Sequence, residues 1–407
     1  MGRFEQAVVD FLRDATLSRR EVARFVDPAA PSWARFDTEL GYVPNDSRVP
    51  DGIDGAISSY TYGDWGERIT INYAGEPCRV NTYGDSMTQC HQVSDGETWQ
   101  EHLAAHLGEP IRNFGVGGYG VYQAIRRLLR IEPTDIGVPY VILNIFLDDH
   151  YRNLDAYRLL RIGRFWRDYD QSLTTSMFHA NPWSHVRFNP QTGDLEERPN
   201  VCPTPESLFD LCDEEYVVST FADDLVVQLL VGRQINDFGF LKKHQQLATA
   251  LGVNLDLSTE EAAADSATAL YDAMAFRSTT ILLTRLHDQL TRSGKKLLVL
   301  LSYPEQTVAD ICRHGLERRP DQEFVSALES TGIPYVDILP AHAQDFAAFQ
   351  ISADDYVKRV FIGHYTPSGN HFFAFAVKDA LRTWLRPAPP SYRDAEKSFA
   401  IQASRLA

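Results

Sequence analysis

A serine between an apolar segment and a helix start is the residue of this sequence best suited to nucleophilic chemistry. Ser86 lies in the run Gly84-Asp85-Ser86-Met87-Thr88, directly after the segment Cys78–Tyr83, which predicts a short buried strand. A serine on such a turn has a rigid support and lies beside the N–H groups of a helix N-terminus. Gly84 permits a sharp turn, and Asp85 can accept hydrogen bonds from nearby backbone N–H groups. The pattern predicts that Ser86 is a nucleophile, which requires a base and an oxyanion site elsewhere in the chain.

Three other stretches combine glycine or polar residues with a predicted strand end or helix start. They are Asn113-Phe114-Gly115-Val116-Gly117-Gly118-Tyr119-Gly120, Phe146-Leu147-Asp148-Asp149-His150 and Gly363-His364-Tyr365-Thr366-Pro367-Ser368-Gly369-Asn370. Glycines let the backbone approach a ligand and direct N–H groups toward it. Open α/β sheets bind ligands where strands end. We therefore expect these stretches to form one site with Ser86.

With these residues the chain resembles the SGNH/GDSL hydrolase superfamily. Its three matching blocks, in family order, are Gly84-Asp85-Ser86-Met87-Thr88, Asn113-x-Gly115-x-x-Gly118, and His364 with Pro367 and Gly369. The resemblance implies that Ser86 is the nucleophile, that His364 is the base and that Gly118 donates an oxyanion N–H.

The activity implied by this resemblance is hydrolysis of an acyl ester through an acyl-serine intermediate, without a cofactor. The substrate would be an ester of a small molecule, a carbohydrate or a lipid. Two alternatives use the same scaffold. One is an acyltransferase, in which an alcohol replaces water, and the other is a non-catalytic relative that binds an ester or a glycan.

Two positions depart from the family pattern. Asp148 stands where the family has an asparagine that donates to the oxyanion, and an ionised carboxylate there would repel the developing charge. Asp148 could donate only if it were protonated. The family also has an acid two or three residues before the histidine, where this chain has Phe361 and Ile362. A backbone carbonyl, Asp354 or Asp355 could orient His364 instead.

Alternating strand and helix patterns surround these residues. The continuous apolar runs Tyr140–Phe146 and Lys296–Tyr303 predict strands buried on both faces, within a parallel sheet covered by helices. The resemblance implies a flavodoxin-like three-layer α/β/α parallel sheet with a large insertion and an N-terminal extension.

The sequence divides into four predicted parts. Residues 1–75 form the N-terminal extension, residues 76–386 the α/β domain, residues 151–265 an insertion or lid within it, and residues 387–407 a tail. Four aromatic residues of the insertion fit a core of its own better than a substrate platform: Trp166, Phe178, Trp183 and Phe188.

Other patterns suggest different chemistry. Gly115-x-Gly117-x-x-Gly120 satisfies the dinucleotide fingerprint, but Asp148 lies farther along the chain than the acid of that fingerprint. That interpretation also leaves Ser86 and His364 without a function.

Two patterns have a spacing that could bind a metal, and we expect no metal at either. His102 and His106 are four residues apart on a predicted helix, but Glu101 precedes them instead of following the first histidine as in zinc proteases. The run Asp148-Asp149-His150 could bind a cation, but neighbouring residues of an extended segment point apart.

Composition narrows the class of protein. The 407 residues carry a formal net charge of −16, which argues against a general nucleic-acid binder. No apolar run has transmembrane length, the first 20 residues are charged, and five scattered cysteines do not suggest a disulfide framework. We expect a cytoplasmic protein that acts on a small-molecule ester, with no nucleic-acid partner and no membrane span. The sequence does not specify an oligomeric state.

Overall fold

The computed structural model describes residues 2–163 and 181–393. Trp166 and Phe178 of the predicted insertion lie outside the described residues. The strands are β1 Ala34–Asp37, β2 Gly41–Pro44, β3 Ser47–Val49, β4 Ser58–Tyr60, β5 Val80–Tyr83, β6 Arg112–Asn113, β7 Tyr140–Phe146, β8 His185–Asn189, β9 Asp194–Arg198, β10 Lys296–Ser302 and β11 Tyr335–Asp337.

Helices occupy most of the segments between the strands. They are α1 Arg3–Asp14, α2 Arg19–Val26, α3 Ser86–Gln89, α4 Trp99–Leu107, α5 Val121–Ile131, α6 Asp149–Arg152, α7 Leu159–Ile162, α8 Glu214–Phe221, α9 Leu225–Ile235, α10 Gln245–Ala250, α11 Glu260–Arg292, α12 Glu305–His314, α13 Gln322–Thr331, α14 Leu339–Phe349, α15 Ala353–Val360 and α16 Pro367–Trp384. Among the described residues, no helix is both long and apolar enough to cross a bilayer.

A five-stranded parallel sheet forms the centre of the molecule, in the order β6-β5-β7-β10-β11. Strands β7 and β10 pair along their full length, and residues 140–145 of β7 are all buried. An apolar strand of this kind is stable only when both of its faces are covered. The predicted α/β class is therefore confirmed. Because the strands are parallel, their carboxyl ends lie at one edge of the sheet, and Ser86 and Asp148 follow two of these ends.

The predicted extension and the predicted insertion share a second hydrophobic core. Helix α1 packs against α8 and α9, and Leu12 of α1 is fully buried in this cluster. Trp183 of the insertion is fully buried in the same cluster, as a core residue would be. Val116 and Tyr119 of the glycine-rich loop also belong to it, so this second core supports one wall of the candidate site. Helix α11 begins at Glu260, so it crosses the predicted boundary at residue 265 without a break.

Candidate active site

Ser86 is the first residue of helix α3, immediately after strand β5 and its two-residue turn. Asp85 caps the helix, since its Oδ1 accepts the N–H of Met87 at 2.9 Å. The Ser86 side chain is nearly buried, with 6% of its residue surface exposed. Its backbone N–H has no acceptor among the described residues. The turn thus holds a hydroxyl beside an unused N–H group at a helix N-terminus.

Gly84 is required by the shape of this turn. Its φ of +153° is a conformation that residues with a side chain rarely adopt. A Cβ added at Gly84 would overlap Oγ1 of Thr88 and would lie 2.5 Å from the carbonyl oxygen of Asn144. The glycine therefore lets the nucleophile turn pack directly on strand β7.

His364 reaches Ser86 from the loop before helix α16. Its Nε2 lies 2.8 Å from Oγ of Ser86, a hydrogen bond across 278 residues of chain. The side chain is partly exposed, so the ring lies between the buried hydroxyl and the surface. The structure thus brings together the two residues predicted as nucleophile and base.

Gln92 orients His364. Oε1 of Gln92 accepts the backbone N–H of His364 and faces its Nδ1, both at 2.9 Å. Nε2 of Gln92 donates to the carbonyl oxygen of Asp51 at 3.1 Å. The backbone N–H can only donate and the carbonyl can only accept, so these two contacts fix the orientation of the amide. Nδ1 of His364 therefore carries the proton, and Nε2 is free to accept the proton of Ser86.

The sequence did not reveal this role of Gln92. Of the alternatives named above, Asp354 pairs with Arg313, and Asp355 accepts a hydrogen bond from Ser352 at the start of α15. A lone glutamine in a loop carries no local pattern that would connect it to a distant histidine.

Arg68 fixes the loop that presents Gln92. This fully buried guanidinium donates to the backbone carbonyls of Gln89, Cys90 and Val93 and pairs with Asp95 at 2.7 Å. In the same loop, residues 90 and 92 have φ values of +61° and +68°, which are unfavourable for side chains other than glycine. The arginine holds this strained loop in place.

Gly118 carries a second N–H without an acceptor, in the loop that binds the turn before Ser86. The glycine-rich loop joins the turn through a hydrogen bond from the N–H of Val116 to the carbonyl oxygen of Gly84, 3.0 Å long. Gly118 is buried with φ +85°, and its N–H has no acceptor in the described part of the chain. Buried N–H groups are nearly always paired, so the N–H groups of Ser86 and Gly118 are available to a ligand.

Asp148 is an acceptor in the structure. Its carboxylate binds Nε of Arg152 at 2.9 Å and Nη1 of Arg161 at 2.8 Å. Burial alone would raise the pKa of Asp148, but Arg161 and Arg152 hold it well below its usual range. The carboxylate is thus ionised and cannot donate to an oxyanion, which corrects the option of a protonated Asp148. It lies near the site and anchors two arginines.

Arg152 connects this ion cluster to the nucleophile turn. Its Nη1 binds Oδ1 of Asp149 at 2.7 Å and Oδ2 of Asp85 at 3.2 Å. Oδ2 of Asp85 also lies 3.3 Å from Oγ of Ser86. Helix α6 is therefore tied to the turn that carries the nucleophile.

Electrostatics keep the histidines of the site neutral. Burial and the positive charge of Arg152 lower the pKa of His364 to about 4. The ring of His91 lies 5.1 Å from that of His364, and burial together with His364 lowers the pKa of His91 well below its usual range. At neutral pH His364 is unprotonated, which is the state a general base requires.

The three glycines of the dinucleotide pattern are packed against the chain itself. A Cβ at Gly115 would overlap the backbone of Gln89, one at Gly117 would overlap the ring of His91, and one at Gly120 would lie 2.8 Å from Cβ of Arg152. Close packing within the protein therefore accounts for these three glycines without a dinucleotide.

No group of three or more His, Cys, Asp or Glu side chains in the described ranges has the arrangement of a metal site. His102 and His106 lie beside His371, with ring centroids 5.3 and 5.7 Å from it. His150, which follows Asp149, is buried and binds Oγ1 of Thr279 at 2.9 Å.

A scan of protein-family models and a search of curated protein sequences each found no match to this chain. The geometry around Ser86 is therefore the basis for inferring a function. That geometry comprises a hydroxyl, a neutral imidazole of defined tautomer and two unused N–H groups.

Proposed function

We propose that this protein is a serine ester hydrolase of the SGNH type, with Ser86 as nucleophile and His364 as base. The observation that carries the proposal is the 2.8 Å contact between Oγ of Ser86 and Nε2 of His364, whose tautomer Gln92 defines. A hydroxyl, a base and an orienting group within hydrogen-bond reach are the arrangement that activates a serine.

The reaction then has two halves. Oγ of Ser86 attacks the ester carbonyl carbon while its proton moves to Nε2 of His364, and the N–H groups of Ser86 and Gly118 stabilise the tetrahedral oxyanion. The bond to the alcohol breaks as His364 returns the proton to the leaving oxygen. Water, deprotonated by His364, attacks the acyl-serine, and the carboxylic acid leaves with Oγ reprotonated. Asp148 holds its arginines in place throughout and takes no part in proton transfer.

We further propose that the sheet belongs to a flavodoxin-like three-layer α/β/α domain. Numbered along the chain, its strands follow the order 2-1-3-4-5, which is the order of that architecture. The charge of −16 and the scattered cysteines support a cytoplasmic enzyme that acts on small-molecule esters and not on nucleic acids.

Labelling with a fluorophosphonate probe tests this proposal. We expect the wild-type protein and a control Ser326→Ala, changed at an exposed helix position, to be labelled. Ser86→Ala should not react, and His364→Ala should react at least a hundredfold more slowly, because general-base catalysis contributes about 10²–10⁴. Labelling that persists in Ser86→Ala, or none in the wild type, would overturn the proposal.

Product analysis distinguishes hydrolase from acyltransferase. A labelled 4-nitrophenyl ester would be turned over in water with and without an added alcohol. We expect the free acid as the main product in both cases. Transfer of most acyl groups to a dilute alcohol would identify an acyltransferase instead.

A further inference from the structure

Arg158 is a buried arginine that has no counterion among the described residues. It is 6% exposed, and its Nε and Nη1 atoms are buried with no hydrogen-bond partner in residues 2–163 and 181–393. In the described part of the chain no carboxylate lies within 4.0 Å of its guanidinium. A buried, unpaired guanidinium is rare in proteins because desolvation of the charge is not offset by a partner. This feature needs a ligand or another compensating group.

The neighbouring arginines do not share this condition. Arg152 pairs with Asp85, Asp148 and Asp149, and Arg161 pairs with Asp148 and Asp155. The carboxylates of the cluster thus pair with Arg152 and Arg161. Arg158, the third arginine, has no carboxylate partner among the described residues. Burial, and then the charge of Arg152, lower the pKa of Arg158, as expected for a cation without a partner.

Arg158 lies against the predicted oxyanion glycine. A Cβ added at Gly118 would overlap Nη1 of Arg158 and would lie 2.5 Å from the hydroxyl of Tyr42. The hydroxyl of Tyr42 donates to the carbonyl oxygen of Gly117 at 2.7 Å, which fixes this wall. Cζ of Arg158 lies 6.0 Å from the centre of the fully buried Trp183 ring, which supports the guanidinium from another side. The unpaired N–H groups are therefore held next to the N–H that would bind the ester.

We infer that Arg158 recognises a carboxylate carried by the substrate, close to the ester that Ser86 attacks. This inference depends on the proposed function and names its substrate class: esters whose acyl or alcohol portion bears a carboxylate. Nε and Nη1 each share an edge of the guanidinium with Nη2, so a carboxylate can accept two parallel N–H bonds on either edge. The site then selects anionic esters over neutral esters of equal length.

Matched substrate pairs test the inference. One pair is 4-nitrophenyl hemisuccinate and 4-nitrophenyl butyrate, which differ on the acyl side. The other is the butyrate esters of 4-hydroxybenzoate and of 4-methylphenol, which differ on the alcohol side. We expect the wild type to prefer the anionic member of at least one pair by about ten- to a hundredfold in kcat/KM, as charge-assisted paired hydrogen bonds provide. Equal kcat/KM values within both pairs would overturn the inference without any variant.

Two variants and one control locate the preference. Arg158→Gln should lower kcat/KM for the favoured anionic ester at least tenfold more than for its neutral partner. Arg158→Lys keeps a charge and should retain part of the preference. Arg233→Gln, at an exposed position of α9, should keep the wild-type preference. An equal loss on both members of a pair in Arg158→Gln would mean an oxyanion or structural role and would refute carboxylate recognition.

Binding to an inactive protein separates this inference from the esterase proposal. Calorimetric titration of Ser86→Ala with succinate should show saturable binding that disappears in the Ser86→Ala/Arg158→Gln double variant. Arg158-dependent binding without any ester hydrolysis by the wild type would refute the proposed function and retain the anion site. Hydrolysis without Arg158-dependent binding or preference would retain the function and refute the anion site.

Discussion

An amide oxygen, and not a carboxylate, accepts the hydrogen bond from Nδ1 of His364. The Oε1 atom of Gln92 fixes the ring through two contacts of 2.9 Å. A neutral acceptor orients an imidazole but stabilises its protonated form less than a carboxylate does. This explains why burial and Arg152 can lower the pKa of His364 to about 4 without opposition from a nearby acid.

The proposed esterase activity would depend on pH through that pKa. Below it, His364 is protonated and cannot accept the proton of Ser86; above it, the base is available. We therefore expect kcat/KM to rise with pH through about 4 and to be flat between pH 5.5 and 7.5. A pH profile with a non-ionisable ester measures this. An acid limb near 6.5, the ordinary value for histidine, would contradict it.

Two replacements of Gln92 distinguish its effect on the orientation of the His364 ring from the effect of a negative charge on the pKa of that ring. Gln92→Ala removes the acceptor, and we expect kcat to fall by about 10²–10⁴, as when a triad histidine loses its orienting group. Gln92→Glu keeps an acceptor and adds a negative charge, which favours protonated His364 and moves the acid limb to higher pH. Steady-state profiles of both variants provide the measurement. An unchanged acid limb in Gln92→Glu would show that Gln92 does not contact the ring during catalysis.

Short loops and turns position the residues of the site, and buried side chains such as Arg68 hold these loops in their conformation. Arg68 binds three carbonyls of the loop 89–95 and pairs with Asp95 in the interior. Arg68→Met removes the guanidinium hydrogen bonds to those carbonyls and the positive charge that offsets the buried Asp95 carboxylate. We expect a loss of about 3–5 kcal/mol in the free energy of unfolding and lower activity in the protein that remains folded. Chemical denaturation measures the first effect, with the exposed Arg48→Met on β3 as a control.

The turn before α3 is equally dependent on a single residue. In Gly84→Ala the new Cβ would meet the carbonyl oxygen of Asn144, a backbone atom of β7 that cannot move away easily. We expect Ser86 to be displaced and probe labelling to slow by at least tenfold. Gly252→Ala is the matched control, because it also has positive φ, +76°, but has open space around its Cβ position. Similar labelling rates for both variants would show that the packing of Gly84 against β7 does not determine the position of Ser86.

Local patterns predicted the elements but not every contact among them. The run Tyr140–Phe146 coincides with strand β7, because a strand buried on both faces must be continuously apolar. Ser86 and His364 were found because each lies in a motif at an element boundary. Gln92 and Arg158 lie in loops without such a motif, and their importance arises from neighbours far away in the sequence. Only the folded structure brings those neighbours together, and a single sequence does not show which residues will meet.

At the scale of the whole molecule, the N-terminal extension helps to build the candidate site. It provides Arg68, and its Tyr60 hydroxyl accepts the N–H of Gln92 at 2.7 Å. Its helix α1 also completes the second hydrophobic core with the insertion. The predicted boundaries at residues 75 and 265 follow changes in sequence pattern. Packing crosses both, because apolar side chains of the extension pack with those of the insertion, and other apolar side chains of the insertion, such as Val186 and Phe188, pack into the main core.

Weakening the second core should lower the free energy of unfolding without changing the reactivity of Ser86 in the folded protein. Leu12 is fully buried in α1, and Leu12→Ala should lower the free energy of unfolding by about 2–5 kcal/mol. Below the unfolding transition, probe labelling of Ser86 should keep its wild-type rate. Thermal unfolding and labelling at 25 °C measure the two effects. Ile57→Ala, in the same extension but 65% exposed, is the control, and an equal change in melting temperature for both would argue against a shared core.

The low pKa of His364 offers a way to single out this protein among other serine hydrolases in a cell extract. At pH 5 an imidazole with a pKa of 6.5 is only about 3% neutral, whereas one with a pKa of about 4 is about 90% neutral. A brief probe pulse at pH 5 would therefore label Ser86 of this protein while most serine hydrolases react slowly. The burial of His364 and its proximity to Arg152 would thus make acidic pH a means of selective labelling in activity-based profiling.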